Sequence, residues 1–252
     1  MKHEQLDLAI HAAKAAGGLL TAAYRRSVSV LNADGKDIKT AEDHAAEACI
    51  LDLLSRESGL PVLTEETGLH AGAVMNQSDC WVVDPLDGTL NYARGLPLCC
   101  VSIALWRGRE PVLGVVYEFL YDRLFAGLVG EGAWCNGSSI AVSEVRLPAQ
   151  AVIATGFPAG GDFSDGALLG FVHQVQQFKK VRLLGSAALS LAHVATGAID
   201  AYAENGICFW DVAAGLALVQ AAGGEHRMGP INSGWKCNVV ATNGRLSALS
   251  PP

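Results

Sequence analysis

The chain has 252 residues, half of them apolar, and carries a formal net charge of −7. This composition is typical of a compact globular protein with one large domain or two modest ones, and it excludes a disordered chain. Basic residues adjoin only in pairs such as Arg25-Arg26 and Lys179-Lys180, so no nucleic-acid partner is expected.

Membrane insertion and disulfide bonding are also not expected. The apolar runs fall short of the ~20 residues that span a bilayer, and the N-terminus, with Glu4 and Asp7, is typical of an amphipathic helix rather than a signal peptide. The chain contains seven cysteines and no C-x-x-C motif. We therefore expect reduced, mostly buried thiols in a cytoplasmic protein, in preference to a disulfide framework or a zinc site.

The first part of the chain predicts helices followed by a run of strands. Residues 4–25 show helical spacing, NADGKD at 32–37 predicts a turn, and Thr40 opens a second helix with Asp43 as its capping partner. Closely spaced apolar segments then predict strands that pair antiparallel, and Asn136-Gly137 predicts a hairpin turn. The predicted strands are 61–68, 80–84, 99–107, 111–120 and 122–130.

The second part alternates strands and helices after a change of composition at 143–150. The segments, in order, are a strand at 151–158, a loop at 160–166, helices at 165–178 and 187–197, a strand at 198–204, a helix at 211–222 and a strand at 235–243. This order predicts a layered α/β (α+β) fold with a mixed sheet. We divide it into halves 1–145 and 146–252 that form one continuous unit.

Four acidic residues stand beside turns or element ends in otherwise apolar sequence. Glu65 follows a predicted strand, Asp84 and Asp87 flank the turn of DPLDGT, and Asp211 begins a predicted helix. Taken one at a time, these acids have structural roles that need no shared site. Asp211 is then a helix N-cap, Asp87 a turn residue and Glu65 part of a solvated loop.

Taken together, the four acids favour a metal site, because a buried carboxylate is costly unless a positive charge compensates it. Oxygen ligands without a histidine set suit Mg²⁺, and two ions about 3.5–4 Å apart are a common arrangement for activating water. The backbone amides of Gly88 and Thr89 would face a phosphate, and the Thr89 hydroxyl would position a water.

Two long motifs then identify a family. The segment WVVDPLDGTLNY (81–92) resembles W-x-x-D-P-[IL]-D-G-T-x-N-[FY], and WDVAAGLALVQAAGG (210–224) resembles W-D-x-A-A-G-x-x-[IL]-x-x-x-A-G-G. These are the signatures of the inositol monophosphatase family of Mg²⁺-dependent, lithium-sensitive phosphatases. TEETG precedes the first motif, and residues 185–204 resemble the stretch between the two. The resemblance covers about residues 5–245 and implies the αβαβα sandwich of the inositol monophosphatase and fructose-1,6-bisphosphatase type.

The resemblance also implies roles for individual residues, with hydrolysis by a metal-activated water and no phosphoenzyme. Asp43, from the segment DIKTAED, would pair with Thr89 to orient the water. Lys36 and Glu66 are further possible members, and Lys39 departs from the family pattern by replacing a usual apolar residue. The implied ligands of two or three Mg²⁺ ions are Glu65, Asp84, the Leu86 carbonyl, Asp87 and Asp211, and the implied substrate contacts are Gly88, Thr89, Gly185, Ser186, Ala187 and Glu204.

The substrate implied first is a small polyol phosphate, with myo-inositol 1-phosphate as the default. Histidinol phosphate, fructose 1,6-bisphosphate, 3'-phosphoadenosine 5'-phosphate and NADP remain alternatives within the family. A different class of function, a regulatory binding protein with incidental phosphatase activity, is also open, because some bacterial relatives bind transcription machinery. The family is usually homodimeric.

Overall fold

The computed structural model describes residues 2–24, 30–34, 37–70, 79–156 and 164–246. Three of its helices begin at a residue whose side chain caps them, Thr40, Ser164 and Ser186. The Thr40 hydroxyl accepts from the Asp43 amide while the Asp43 carboxylate accepts from the Thr40 amide, so the predicted capping box is confirmed. The helices are α1 (Lys2–Tyr24), α2 (Ala41–Ser58), α3 (Thr89–Ala93), α4 (Asp165–Val175), α5 (Ala187–Ala195) and α6 (Phe209–Ala221).

The strands up to residue 140 form an N-terminal hairpin and an eight-stranded sheet. In the hairpin, β1 (Val30–Asp34) pairs with β2 (Asp37–Thr40). In the sheet, most neighbours are antiparallel, but the strand at residues 62–64 pairs parallel with the strand at residues 79–87. Its strands, in spatial order, are β10 (Ser138–Ile140), β9 (Gly132–Cys135), β8 (Arg123–Leu128), β7 (Glu110–Glu118), β6 (Cys100–Arg107), β5 (Asp79–Asp87), β3 (Val62–Thr64) and β4 (Gly68–His70).

The strands after residue 151 form a second sheet of five members. It mixes parallel and antiparallel pairs, as predicted. Its strands, in spatial order, are β12 (Lys180–Arg182), β11 (Val152–Ala154), β13 (Ala201–Cys208), β15 (Lys236–Thr242) and β14 (Glu225–Met228).

The helices and sheets stack in layers. Helices α1 and α2 cover one face of the larger sheet, and the apolar helices α5 and α6 fill the space between the two sheets. On the outer face of the smaller sheet, Phe178, just after α4, packs with Ile153 and Val240. The Asp211 end of α6 therefore lies between the sheets, next to the end of β5.

Two glycines let α6 lie directly on the larger sheet. Gly114 of β7 and Gly127 of β8 are cross-strand partners. A Cβ atom on Gly114 would lie 2.2 Å from the Ala214 carbonyl oxygen of α6, and one on Gly127 would lie 3.0 Å from the Ala221 side chain. Because the first distance is far below van der Waals contact, the backbone of β7 can approach α6 this closely only without a side chain.

Most predicted elements are confirmed, and the differences concern short elements. The strand series is antiparallel over 100–128, and the Asn136-Gly137 hairpin turn has positive φ at both residues, as predicted. The short elements β1, β2, β4, α3, β12 and β14 were not predicted, and the two main sheets are the two β layers of the αβαβα sandwich that the resemblance implies. The turn predicted at 32–37 includes Gly35 and Lys36, which lie outside the described residues.

Two sequence expectations concern membranes and thiols. No helix in the described ranges combines the length and the apolar character needed to cross a bilayer. The seven cysteines all lie within the described ranges, and none of them forms a disulfide bond there.

Candidate active site

The larger sheet brings two of the four acids together at the end of β5. Because β3 and β5 run parallel, with Thr64 paired to Val83, the residues that follow these positions, Glu65 and Asp84, emerge side by side. The pairing of β5 with β6 is then irregular between Asp84 and Asp87. Such a bulge redirects side chains and is common beside active sites.

Helix α6 supplies the third acid. The ligand oxygens of Glu65, Asp84 and Asp211 all lie within 4.8 Å of one another, so these three form an acidic cluster. Asp211 lies in the first turn of α6, whose N-cap is Cys208, so the N-cap alternative for Asp211 is wrong.

The acidic cluster has the electrostatics of a cation site. Asp84 is 1% exposed. Burial raises the pKa of Asp84 well above its usual range, and the neighbouring charges of Glu65, Asp87 and Asp211 raise it further. A set of carboxylate oxygens suits a hard divalent cation such as Mg²⁺, whose charge would offset both the burial and the repulsion. The residues present therefore fit the implied metal.

Asp87 lies beside the acidic cluster but is held by α5. Its Oδ2 accepts hydrogen bonds from the Ser186 hydroxyl at 2.5 Å and the Ala188 amide at 2.8 Å, at the N-terminus of that helix. Burial raises the pKa of Asp87 to about 6, although these hydrogen bonds oppose the shift. Its assignment as a metal ligand stays a prediction.

Thr89 connects the DPLDGT turn to α2. Its hydroxyl lies 2.9 Å from the Leu86 carbonyl oxygen and 3.2 Å from Asp43 Oδ1. One hydroxyl proton serves one acceptor at a time. When the proton goes to Asp43, the Leu86 carbonyl is available to a cation and a Thr89 lone pair is available to a water. Asp43 is itself fixed by Thr40, whose amide and hydroxyl each donate to Oδ2 at 2.6 Å.

Gly88 is required by the geometry of this turn. Its φ is +86°, and an added Cβ would lie 2.6 Å from the Leu98 carbonyl oxygen. A side chain would therefore meet both a strained backbone and a backbone clash. The chain turns here into α3, which begins at Thr89. The phosphate contact assigned to the Gly88 and Thr89 amides stays a prediction.

A cavity of about 390 Å³ opens beside the acidic cluster and holds the predicted substrate residues. Gly185, Ser186, Ala187 and Glu204 all line it, together with Glu65, Asp87 and Asp211. Sequence reasoning missed other lining residues, all of which except Trp210 lie outside the two motifs. These are Thr155, Gly156, Ser190, Tyr202, Gly206, Ile207, Cys208, Trp210 and Lys236.

Glu204 is the main polar group of the cavity away from the acidic cluster. It is 7% exposed, and its Oε2 accepts from the Tyr202 hydroxyl at 2.7 Å. Burial raises the pKa of Glu204 to about 7, against the effect of the Tyr202 hydrogen bond. Near neutral pH this carboxyl therefore exists in both protonation states and both accepts and donates hydrogen bonds.

Of the two further members predicted for the site, Lys36 and Glu66, the structure describes Glu66. Lys36 lies outside the described residues. Glu66 is not part of the acidic cluster, and its Oε2 lies 2.7 Å from the Lys39 ammonium. Glu47, which was not predicted, fixes the turn after β3 by accepting from the Thr64 hydroxyl at 2.9 Å and the Glu66 amide at 3.0 Å.

The raised pKa of Glu204 predicts a pH-dependent stability. An acid whose pKa is higher in the folded state stabilises the fold at low pH and loses that contribution as the pH rises through its folded pKa. Replacing Glu204 by Gln should therefore flatten the fall in unfolding free energy between pH 5 and 7 by up to ~1.4 kcal/mol per pH unit. Urea unfolding in excess chelator measures this, and unchanged slopes would contradict the burial effect.

Comparison with known proteins identifies the family of this chain. The model of the inositol monophosphatase family matches residues 1–242. The Nus factor SuhB of Salmonella typhimurium is 36% identical over 251 residues, which cover 97% of this chain and 93% of the relative. Inositol monophosphatase 2 of Solanum lycopersicum is 38% identical over 229 residues, covering 88% of this chain and 86% of the relative.

A solved structure agrees on the fold. The inositol monophosphatase from Anabaena (Nostoc) sp. PCC 7120 superposes with a TM-score of 0.82 at 36% identity, covering 96% of this chain and 92% of that one. The layered sandwich that the resemblance implied is thereby confirmed, and the family match supports a phosphatase function. This chain belongs to the inositol monophosphatase family.

Proposed function

We propose that this protein is a Mg²⁺-dependent phosphomonoesterase acting on a small polyol phosphate, with myo-inositol 1-phosphate as the first candidate. The observation that carries the proposal is the acidic cluster of Glu65, Asp84 and Asp211, two of whose members, Glu65 and Asp211, line a cavity of about 390 Å³. A phosphate would lie beside this cluster, and the alcohol part would extend toward Glu204.

The metal, Thr89 and Asp43 would each have a separate role in the hydrolysis. Bound Mg²⁺ would neutralise charge on the phosphate oxygens and lower the pKa of a bound water. Thr89, donating its proton to Asp43, accepts a hydrogen bond from the attacking water and fixes its direction toward phosphorus. The buried Asp43 carboxylate is placed to take the proton that the water loses, through the Thr89 hydroxyl. Burial raises the pKa of Asp43, which favours its role as a base.

Several groups of the cavity suit a neutral polyol. Glu204 and Tyr202 present one carboxyl and one hydroxyl, and Ser186 and Ser190 add hydroxyls. Such groups form hydrogen bonds with ring hydroxyls, which supports a polyol phosphate over the alternatives in the family. Lys236 also lines this cavity, so the wall carries one ammonium as well.

A substrate panel tests the proposal. Phosphate release is measured from myo-inositol 1-phosphate, histidinol phosphate, fructose 1,6-bisphosphate, 3'-phosphoadenosine 5'-phosphate and NADP. Each is tested with Mg²⁺, with chelator and with added Li⁺. We expect inositol 1-phosphate to have the highest kcat/KM, with hydrolysis lost in chelator and inhibited by Li⁺. Hydrolysis that persists in excess chelator would overturn the metal-dependent mechanism.

Replacing Glu204 by Ala should change substrate preference more than metal dependence. The variant loses a hydrogen-bonding partner of the alcohol part, while the acidic cluster keeps all its members. We expect kcat/KM for inositol 1-phosphate to fall about 10–100-fold, as for the loss of one or two hydrogen bonds to substrate. The Mg²⁺ concentration for half-maximal activity should stay unchanged. An equal loss on every substrate would contradict the assignment.

One relative favours a second candidate function. The similarity to a protein named Nus factor SuhB supports a regulatory binding role in which hydrolysis is incidental. Weak hydrolysis of every substrate in the panel, without a preferred one, would favour this candidate. We also propose a homodimer in the cytoplasm, and the exposed apolar residues Leu168, Leu169 and Val172 of α4 offer surface for a second copy.

A further inference from the structure

A glycine lies against the carboxyl group of Glu204, the main polar group of the cavity away from the acidic cluster. Gly156, two residues after the end of β11, also lines this cavity. A Cβ atom added to Gly156 would lie 2.6 Å from Glu204 Oε2, 2.9 Å from Oε1 and 3.0 Å from Cδ. The Glu204 carboxyl group therefore occupies the space that a side chain at position 156 would need.

The pairing of β11 with β13 explains this contact. These strands run parallel, with Ala154 beside Tyr202. Extending that register by two residues places Gly156 beside Glu204 on the same face of the sheet, because side chains alternate along a strand and adjacent strands lie about 4.8 Å apart. At position 156 that face carries no side chain, and the Glu204 carboxyl group fills the space.

Tyr202 holds the same carboxyl group from a second side. Its hydroxyl donates to Glu204 Oε2 at 2.7 Å, and Tyr202 is 1% exposed. The other oxygen, Oε1, accepts no hydrogen bond from the residues that the structure describes. Oε1 is therefore the oxygen left for a hydroxyl group of the substrate.

We propose that Gly156 is a positioning residue for the substrate: the absence of a side chain there provides the place in which the Glu204 carboxyl group is held to meet a hydroxyl of the polyol. The inference rests on the proposed function, in which Glu204 binds the alcohol part. Gly156 acts through Glu204, so it affects the choice of substrate and leaves the acidic cluster unchanged.

A side chain at position 156 would displace the carboxyl group and leave the fold intact. The backbone of Gly156 lies outside the left-handed region, so alanine can adopt its conformation. The preceding residue is held by the sheet, since the Thr155 amide donates to the Arg182 carbonyl at 3.0 Å. The Glu204 carboxyl group is the far end of a flexible side chain and would move away, because 2.6 Å is well below the ~3.5 Å of van der Waals contact.

The test compares the unmodified protein with Gly156→Ala, Glu204→Ala and the double variant Gly156→Ala/Glu204→Ala. Phosphate release is measured from the preferred polyol phosphate of the substrate panel, with Mg²⁺ in excess. We expect Gly156→Ala to lower kcat/KM about 10–100-fold, mainly through KM, because hydrogen bonds to the alcohol part are lost. The double variant should match Glu204→Ala, because a residue that acts through Glu204 has no effect once the carboxyl group is gone.

Two controls accompany this comparison. Gly170 is exposed on α4, and a Cβ atom there would meet nothing within 4 Å, so Gly170→Ala should leave kcat and KM unchanged. The Mg²⁺ concentration for half-maximal activity should be the same in every variant. If Gly156→Ala alone does not fold, the double variant should fold, because the atoms nearest to the new Cβ are absent from it. A double variant that also fails to fold would overturn the proposal.

The outcomes separate this inference from the proposed function. If the unmodified protein hydrolyses a polyol phosphate and Gly156→Ala is equally active, the role of Gly156 is overturned and the proposed function stands. Losses that add up in the double variant would also overturn the role, because Gly156 would then act on something other than Glu204. If the unmodified protein hydrolyses no polyol phosphate, the proposed function is overturned and the role of Gly156 with it.

Discussion

Replacing Asp84 by Asn should abolish hydrolysis and, in the same protein, raise the stability of the metal-free form. Asp84 is buried beside Glu65 and Asp211, and these charges repel one another when no cation is present. Removing one charge relieves that repulsion, so the melting temperature in chelator should rise. Loss of a metal ligand costs several kcal/mol of transition-state stabilisation, so kcat/KM should fall at least ~10³-fold.

The two effects are measured by phosphate release and by thermal unfolding with and without Mg²⁺. The unmodified protein should gain melting temperature on adding Mg²⁺, because a ligand that binds only the folded state stabilises it, and Asp84→Asn should gain little. Asp79→Asn is the matched control. Asp79 lies on the same strand, pairs with Arg107 at the surface and should contribute less than ~1 kcal/mol. An Asp84→Asn protein that is inactive and also less stable in chelator would contradict the electrostatic account.

Replacing Thr89 by Val should lower kcat ~10²–10⁴-fold while changing KM little, as expected for a group that acts on the attacking water. Valine keeps the shape of the side chain but removes the hydroxyl that lies between Asp43 and the Leu86 carbonyl. Thr89→Ser keeps that hydroxyl and should retain most of the activity.

Steady-state kinetics with Mg²⁺ in excess measure the Thr89 effect. If Val and Ser variants lose kcat equally, the methyl group and its packing are responsible, and the water-orienting role is wrong. If Thr89→Val raises KM alone, the hydroxyl binds the ground state of the substrate rather than the water.

Local rules of sequence were sufficient for much of the fold. The Thr40–Asp43 capping box and the Asn136-Gly137 turn were predicted because each depends on a few adjacent residues. Strands β12 and β14 were missed because they are three and four residues long, lie partly exposed and have no apolar alternation. Such segments become strands through the neighbour with which they pair, and a single sequence does not show that neighbour.

The sequence predicted which residues lie in the site but not the direction of their side chains. The family resemblance placed Glu65, Asp84 and Asp211 in one site, and the structure brings their ligand oxygens within 4.8 Å of one another. The direction of each side chain was not predictable. Asp87 is turned toward Ser186 of α5, and Glu66 toward Lys39, because both contacts join segments that lie far apart in sequence.

The approach of α6 to β7 has a consequence for cation selectivity. Gly114 lets the helix backbone lie against the sheet, and Asp211 is three residues before Ala214, where the contact is made. Mg²⁺ requires oxygens at about 2.0–2.1 Å, whereas Ca²⁺ accepts about 2.3–2.6 Å. Because a rigid helix carries its side chains with it, the distance between α6 and β7 would set how closely Asp211 approaches a bound cation. Gly114, a residue of the neighbouring strand, would thus take part in choosing which ion fits.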